Sequence, residues 1–517
     1  MKIMKSGITF GIIAGLLTFL FGGWSVAVLG SLMGVGLGMG LGGTLERKDP
    51  FKIAKDVLPT AVVAGVILVV FSIFQNSIVQ QAIGQESADP DVVIFGNLIG
   101  FLGTVLFTTL LAGLHGLPEK QEQKWKMYLL AALIIAFPFI DKLTALRWTS
   151  QIIFALIFVI LGLGLNIVVG YAGLLDLGYA AFFAIGAYTT GMLSSPVHNI
   201  HINFWIVIWI AAAMAAIWGF MLGAPTLPLR GDYLAIVTLG FGEIVPVIFK
   251  NLIDVTIKEP FTCWILPMFG AQTSCITFVN HFDLTFGEKG ISPIGRPSLP
   301  FIGAFESSNP ITWYFLIISI ILLSVFLIRR LHNSRLGRAW MAIREDELAA
   351  AQMGIDPVKT KLAAFALGAT FSGFAGAFYA SYIAGIFPSV FDFSASIIIL
   401  SCVILGGIGN INGVIVGGLV LMTADRLFLP ALKDFLSSLL THTILPSISN
   451  PVVQLAVKDN ANPILYRFLL FGLTLVIMMS IRPEGLIPNA QRRAELHTDE
   501  APAIEAETPT SKTAKKG

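Results

Sequence analysis

Ser334-Arg335-Leu336-Gly337-Arg338-Ala339-Trp340-Met341-Ala342-Ile343-Arg344-Glu345-Asp346-Glu347-Leu348-Ala349-Ala350-Ala351-Gln352-Met353-Gly354-Ile355-Asp356-Pro357 is a polar stretch between two apolar segments, each long enough to cross a bilayer. Its pattern predicts a short helix over 342–353. Glu345, Asp346 and Glu347 fall in the N-terminal half, where the helix dipole favours negative charge. Gly354 suits a C-terminal cap, and Pro357 blocks continuation. Asp356-Pro357 reads as the N-cap and first turn of the next helix. The centre, Ala349-Ala350-Ala351, is small enough for another surface to come close. The same residues also suit an ordinary solvated loop helix.

Outward from this stretch the chain is mostly apolar. Of 517 residues, 55% are hydrophobic and 12% charged, and the mean hydropathy is +0.81. A soluble domain carries about 25% charged residues. The apolar residues come in runs of about 20, the length that spans a hydrocarbon core. The reading is an all-α, polytopic helical membrane protein. Basic residues flank the spans and are not interleaved with aromatics on one face, so nucleic-acid binding is not indicated. Cys263, Cys275 and Cys402 form no metal-type cluster, and the histidines show no zinc spacing. Cys263 and Cys275 share one loop, where a disulfide is possible.

Predicted spans are 8–24, 25–43, 58–75 and 92–117, then 127–141, 150–170, 171–195, 203–223, 233–256, 311–328, 362–386 and 463–481. Between the last two, 395–430 reads as two apolar halves broken at Gly406-Gly407-Ile408-Gly409-Asn410-Ile411-Asn412-Gly413. Irregular backbone at membrane depth is tolerated only inside protein or along a watery cavity, so a re-entrant hairpin or broken helix is expected there. The total is about twelve spans plus the broken element. Basic loops, with Arg47 and Lys48, Lys120 and Lys124, and Arg329, Arg330, Arg335 and Arg338, alternate with non-basic ones. The positive-inside rule puts the basic loops and both termini in the cytoplasm and 257–310 outside. The expected organisation is an extension of about four spans over 1–126, a core over 127–488 with a cytoplasmic loop over 331–361, and a disordered tail over 489–517.

Ionisable groups within spans are costly and so are functional candidates. Asp176 follows a Gly-rich break and is expected either to cap a helix or to line a pathway. Glu243, in Gly240-Phe241-Gly242-Glu243, sits nearly halfway along its span, at a pathway, at a subunit interface or in a plain interhelical hydrogen bond. Gly406, Gly407 and Gly409 mark the break whose helix ends would offer N–H and C=O groups to a zwitterionic substrate. Tight glycine packing is the alternative. Lys250 and Asp254 are expected to snorkel, and Asp425 and Arg426 to be interfacial. No Walker lysine follows the glycine pair at 240–242, and no nucleotide-binding motif appears.

Glu347-Leu348-Ala349-Ala350, with Gly354 beyond, resembles the cytoplasmic EAA loop of ABC-importer permeases. The region 127–488 is similar to the branched-chain amino acid permease of that class, the high-affinity leucine, isoleucine and valine type. The stretches that carry the match are 162–188, Arg230-Gly231-Asp232-Tyr233-Leu234-Ala235-Ile236-Val237-Thr238-Leu239-Gly240-Phe241-Gly242-Glu243-Ile244, and 336–354. The resemblance implies a non-enzymatic permease of the bacterial inner membrane. It implies a second related permease, two cytoplasmic ATPase subunits and a periplasmic substrate-binding protein as partners. ATP would be bound by the partner subunits, with no cofactor in this chain. Coupling to the ATPases would fall to Glu345, Asp346, Glu347, Ala349, Ala350 and Gly354. Urea, an amide or a wider range of amino acids are alternative cargoes. An ion-coupled secondary transporter is the rival of another class, and no convergent catalytic set supports a membrane enzyme.

Overall fold

The computed structural model describes residues 119–144, 148–198, 200–226, 232–253, 255–258, 277–299, 303–306, 309–430 and 462–487, with Lys433 and Leu440. The four predicted spans before residue 118, the tail from 489 and Cys263 and Cys275 lie outside the described residues. Two compact units are distinguished, Met1–Leu146 with Leu427–Arg467, and Arg147–Arg426 with Phe468–Gly517. In the first, helix α1 (Glu119–Thr144) contains the predicted span 127–141.

The second unit is built from helices. α2 (Trp148–Leu165) continues as a π-helical segment, Asn166–Tyr171. Then come α3 (Ala180–Ser194), α4 (Phe204–Thr226) and α5 (Asp232–Asn251). The segment predicted as a loop carries two small antiparallel ribbons. They are β1 (Val255–Lys258) with β2 (Thr277–Phe282), and β3 (Ser298–Leu299) with β4 (Gly303–Ala304). α6 (Pro310–His332) leads to α7 (Arg335–Glu345), α8 (Glu347–Gln352) and α9 (Pro357–Ile383). α10 (Phe393–Gly406), α11 (Ile411–Thr423) and α12 (Arg467–Ile481) follow. Seven helices among the described residues are long and apolar enough to cross a membrane, and α3 and α10 are shorter apolar helices. The predicted all-α membrane architecture holds, and among the described residues the ribbons lie in the segment between α5 and α6.

α9 is the axis of this unit and packs against α4, α3 and α2. Between apolar helices in lipid there is little hydrophobic drive, so close backbone approach and dispersion must supply the attraction. Small residues give that approach. A Cβ on Gly186 of α3 would lie 2.7 Å from the Cα of Gly373 in α9. One on Gly373 would lie 2.7 Å from the Cα of Ala212 in α4. Where α9 ends, aromatic rings take over. Trp313, fully buried, meets Phe378 and Tyr382 edge-on at centroid distances of 5.7 and 5.3 Å. The outward faces of α4 and α5 expose Trp209, Ile217, Phe220, Ile236 and Val247, the surface an apolar solvent requires.

The broken element at 395–430 is a hairpin. Gly406 on α10 meets Gly413 on α11, and Gly417 meets Cys402, so α11 runs back along α10. Gly407 and Gly409 turn the tip at φ +119° and +82°, values that favour glycine. Asn410 caps α11, its Oδ1 accepting from the N–H groups of Asn412 and Gly413 at 3.0 and 3.4 Å.

Candidate coupling site

The stretch 334–357 folds as two helices, where the sequence predicts one over 342–353. The division falls at Asp346. This residue is extended, with φ −154° and ψ 111°, and its Oδ1 accepts from the N–H groups of Leu348 and Ala349 at 2.9 and 3.0 Å. An aspartate that caps free amides two and three residues ahead starts a new helix more readily than it continues an old one. Ser334 caps α7 in the same way, its Oγ accepting from the Gly337 N–H at 3.3 Å. Gly337, Trp340 and Ile343 bury one face of α7. The Trp340 indole donates to the Thr360 carbonyl at 2.7 Å and fastens α7 to the first turn of α9.

α8 ends as the sequence predicts. Gly354 is left-handed at φ +84°. The Gly354 N–H donates to the Ala351 carbonyl at 3.0 Å and the Ile355 N–H to the Ala350 carbonyl at 3.1 Å. This paired closure satisfies carbonyls that a helix end leaves free. Asp356 then caps α9, its Oδ1 accepting from the Lys359 N–H at 3.2 Å with Pro357 in the first turn. That hydrogen bond holds the Asp356 carboxyl below its ordinary value.

The faces of α8 differ from expectation. Ala350 is 5% exposed and points into its own chain, so it is no free docking contact. The exposed apolar positions are Leu348 at 71% and Met353 at 84%, with Ala349 between them. Glu345 and Asp346 are exposed. Glu347 turns back to Lys361 of α9, with Nζ and Oε1 2.6 Å apart and the two side chains 10% and 47% exposed. The ammonium is nearly buried and takes the carboxylate as its partner, which a buried charge requires. The sequence gives no signal for Leu348 and Met353 beyond the presence of apolar residues in a polar stretch, and none for the pairing of Glu347.

The break after α2 lies beside this element. Asp176 is 1% exposed. It does not cap α3, whose first residue is Ala180. Its Oδ1 accepts from the Gly178 N–H at 2.9 Å and closes a tight turn, while the Ala180 N–H donates to Ser396 Oγ at 3.0 Å. The Leu177 N–H donates to Thr238 Oγ1 of α5 at 3.1 Å, and Gly178 lies against Gly242. Glu243 sits on the other face of α5, exposed beside Ile244 and Val247.

At the hairpin tip the helix-end groups expected to meet substrate are taken up by protein. The Leu405 and Gly406 carbonyls accept from the N–H groups of Leu486 and Ile487 at 2.9 and 3.0 Å. The Gly409 N–H donates to Asn166 Oδ1 at 2.8 Å, and Asn410 Nδ2 to the Ile487 carbonyl at 3.1 Å. A Cβ on Gly407 would lie 2.5 Å from the Ile487 carbonyl oxygen. At Gly406 and Gly407 neighbouring backbone occupies the place of a Cβ, and the Gly409 N–H has a protein partner, as a buried polar group requires.

These features define a class: a core of apolar helices that bears, at its arginine-rich end, a short doubly capped helix with two large apolar side chains exposed. Residues 149–478 match the family described as the branched-chain amino acid transport system, permease component. The chain is 36% identical over 396 residues to the high-affinity branched-chain amino acid transport system permease protein LivM of Escherichia coli (strain K12), covering 74% of this chain and 80% of that protein. It is 25% identical over 367 residues to the probable branched-chain amino acid transport permease protein LivM of Methanocaldococcus jannaschii, covering 64% and 90%. It is 22% identical over 281 residues to the permease protein LivH of Salmonella typhimurium, covering 52% and 81%. No solved structure matches significantly. The chain belongs to this family of permease components and is a multi-pass membrane protein of a transport family, not of an enzyme family.

Proposed function

We propose that this chain is the transmembrane subunit of an ABC importer for branched-chain amino acids in the bacterial inner membrane. It forms the translocation pathway with a second, related permease. Two cytoplasmic ATPases drive it, and a periplasmic binding protein delivers the substrate. The observation that carries the reading is α8: a short element between the apolar helices α6 and α9, capped at both ends and exposing Leu348 and Met353, which a partner can bury. Ala349 lies between them in the contact. Glu345 and Asp346 rim it, while Ala350, Glu347 and Gly354 hold its shape. Asp176 and Glu243 are the pathway candidates, since a carboxylate is costly both when buried, as Asp176 is, and when exposed midway along an apolar helix, as Glu243 is. Gly406, Gly407 and Gly409 shape the hairpin tip. The core over 127–488, with its cytoplasmic loop over 331–361, does the transport. The spans over 1–126 are an extension and 489–517 a cytoplasmic tail.

Co-expression with a second permease, two ATPases and a binding protein, followed by reconstitution into vesicles, is expected to give ATP-dependent leucine uptake that requires all parts. Uptake of urea or an amide in place of leucine would transfer the reading to those cargoes. Uptake without ATPases that an ionophore abolishes would replace it with ion-coupled transport.

The sidedness has its own test. The Lys and Arg distribution puts the coupling loop and both termini inside. In a background lacking Cys263 and Cys275, a cysteine at Glu288 is expected to react with an impermeant maleimide on intact cells. A cysteine at Leu348 is expected to react only after permeabilisation. Both side chains are exposed, so labelling of the Leu348 position from outside would reverse the topology.

A further inference from the structure

We infer that Arg344 is the positioning residue through which movement of the coupling helix reaches the membrane helices; this rests on the importer reading above. Arg344 closes α7, where a cation meets the negative end of the helix dipole. Its Nη1 donates at 2.8 Å to the Gly170 carbonyl, within the π-helical segment that ends α2. Its stem lies across Gly173, which is left-handed at φ +71° and where a Cβ would be 2.9 Å from Arg344 Cγ. The side chain is thus seated on the break and reaches across 174 residues of sequence.

Gly170 is gripped from the other side too. The place of its missing Cβ is filled by the Asn166 amide oxygen and by the Gly409 backbone nitrogen, the latter at 2.8 Å. Asn166 Oδ1 is itself the acceptor for the Gly409 N–H. One glycine therefore stands between the coupling element and the hairpin tip. Two further ties run parallel: the Tyr171 ring lies 4.7 Å from the His332 ring, and Arg329 Nη2 donates to Asn412 Oδ1 at 3.2 Å. Asp346, two residues past Arg344, caps α8, and Trp340 fixes α7 to α9. A partner that shifts α8 must carry Arg344 with it. Arg344 then either drags the π-segment and the hairpin tip or loses a charge-assisted hydrogen bond. π-helical turns adjust register locally and recur at functional sites. Hydrogen-bond networks and packed elements of this kind can carry coupling between sites, and the planar guanidinium holds a carbonyl more rigidly than an ammonium would.

The test uses the complete complex in vesicles, with Arg344→Gln and Arg344→Lys beside the unaltered chain. Insertion and ATPase co-purification are expected to stay at the unaltered level in both. Stimulation of ATP hydrolysis by leucine-loaded binding protein is expected to fall about tenfold in Arg344→Gln, the equivalent of one hydrogen bond to a charged group. Leucine uptake should fall by the same factor, and Arg344→Lys should recover part of both. Unaltered stimulation in Arg344→Gln would overturn the inference. So would a loss of uptake matched by an equal loss of assembled complex, since the residue would then be merely structural. If the unaltered chain neither retains ATPases nor takes up leucine with ATP, the importer reading itself fails, which is a separate outcome.

Discussion

Membranes carrying Leu348→Arg are expected to hold this chain in full amount and to lose the ATPases. Leu348 is 71% exposed on a six-residue helix outside the apolar spans. Its substitution disturbs no packing within the chain, and it follows Asp346, whose side chain sets the cap. Burying a leucine at an interface contributes about 1.5–3 kcal/mol. An arginine in its place forfeits that and adds a charge to desolvate. The affinity for the ATPases should fall about 100-fold or more, and uptake with it. Met353→Arg should act in the same direction.

Ala350→Arg is the informative contrast. At 5% exposure the alanine is packed inside its own chain. An arginine there should lower the amount of intact permease along with ATPase binding. Co-purification measured against the amount of permease separates the two effects. If Leu348→Arg binds ATPases normally while Ala350→Arg loses them at full permease level, the assignment of faces on α8 is wrong.

Gly186→Leu is expected to prevent a stable core. The position meets Gly373 backbone to backbone, with only 2.7 Å left for a Cβ, so α3 and α9 must separate to admit four carbons. Overpacking of this kind costs about 3 kcal/mol or more when the obstacle is backbone, which cannot turn away as a side chain can. The separation would also spread to α4, because Gly373 rests on Ala212. Gly240→Leu is the matched control, since nothing lies within 4 Å of a Cβ at that position. Thermal unfolding in detergent, followed by size-exclusion chromatography, should show a much lower midpoint for Gly186→Leu and little change for Gly240→Leu. Equal midpoints would refute the close packing of α3 on α9.

The sequence by itself determined the features whose causes lie within a few residues. Span length and apolarity set the membrane class, since every backbone group in lipid must be paired within its own helix. Gly354, Asp356 and Pro357 set the end of α8 and the start of α9, because caps act over two to four residues. The glycines at 406–413 forced a break, and the motif stretches placed the chain in its family. Tertiary structure decided what depends on distant neighbours. Trp340 fastens α7 to Thr360 of α9, whereas the cap that Asp346 gives α8 is local. Ala350 faces inward and Leu348 outward because α9 covers one side of α8, with Lys361 drawing Glu347 back. The tip carbonyls at Leu405 and Gly406 are occupied because 485–487 returns to them. Arg344 finds Gly170 only because the end of α2, the hairpin tip and the end of α7 meet at one place, and no local pattern encodes a contact across that much chain.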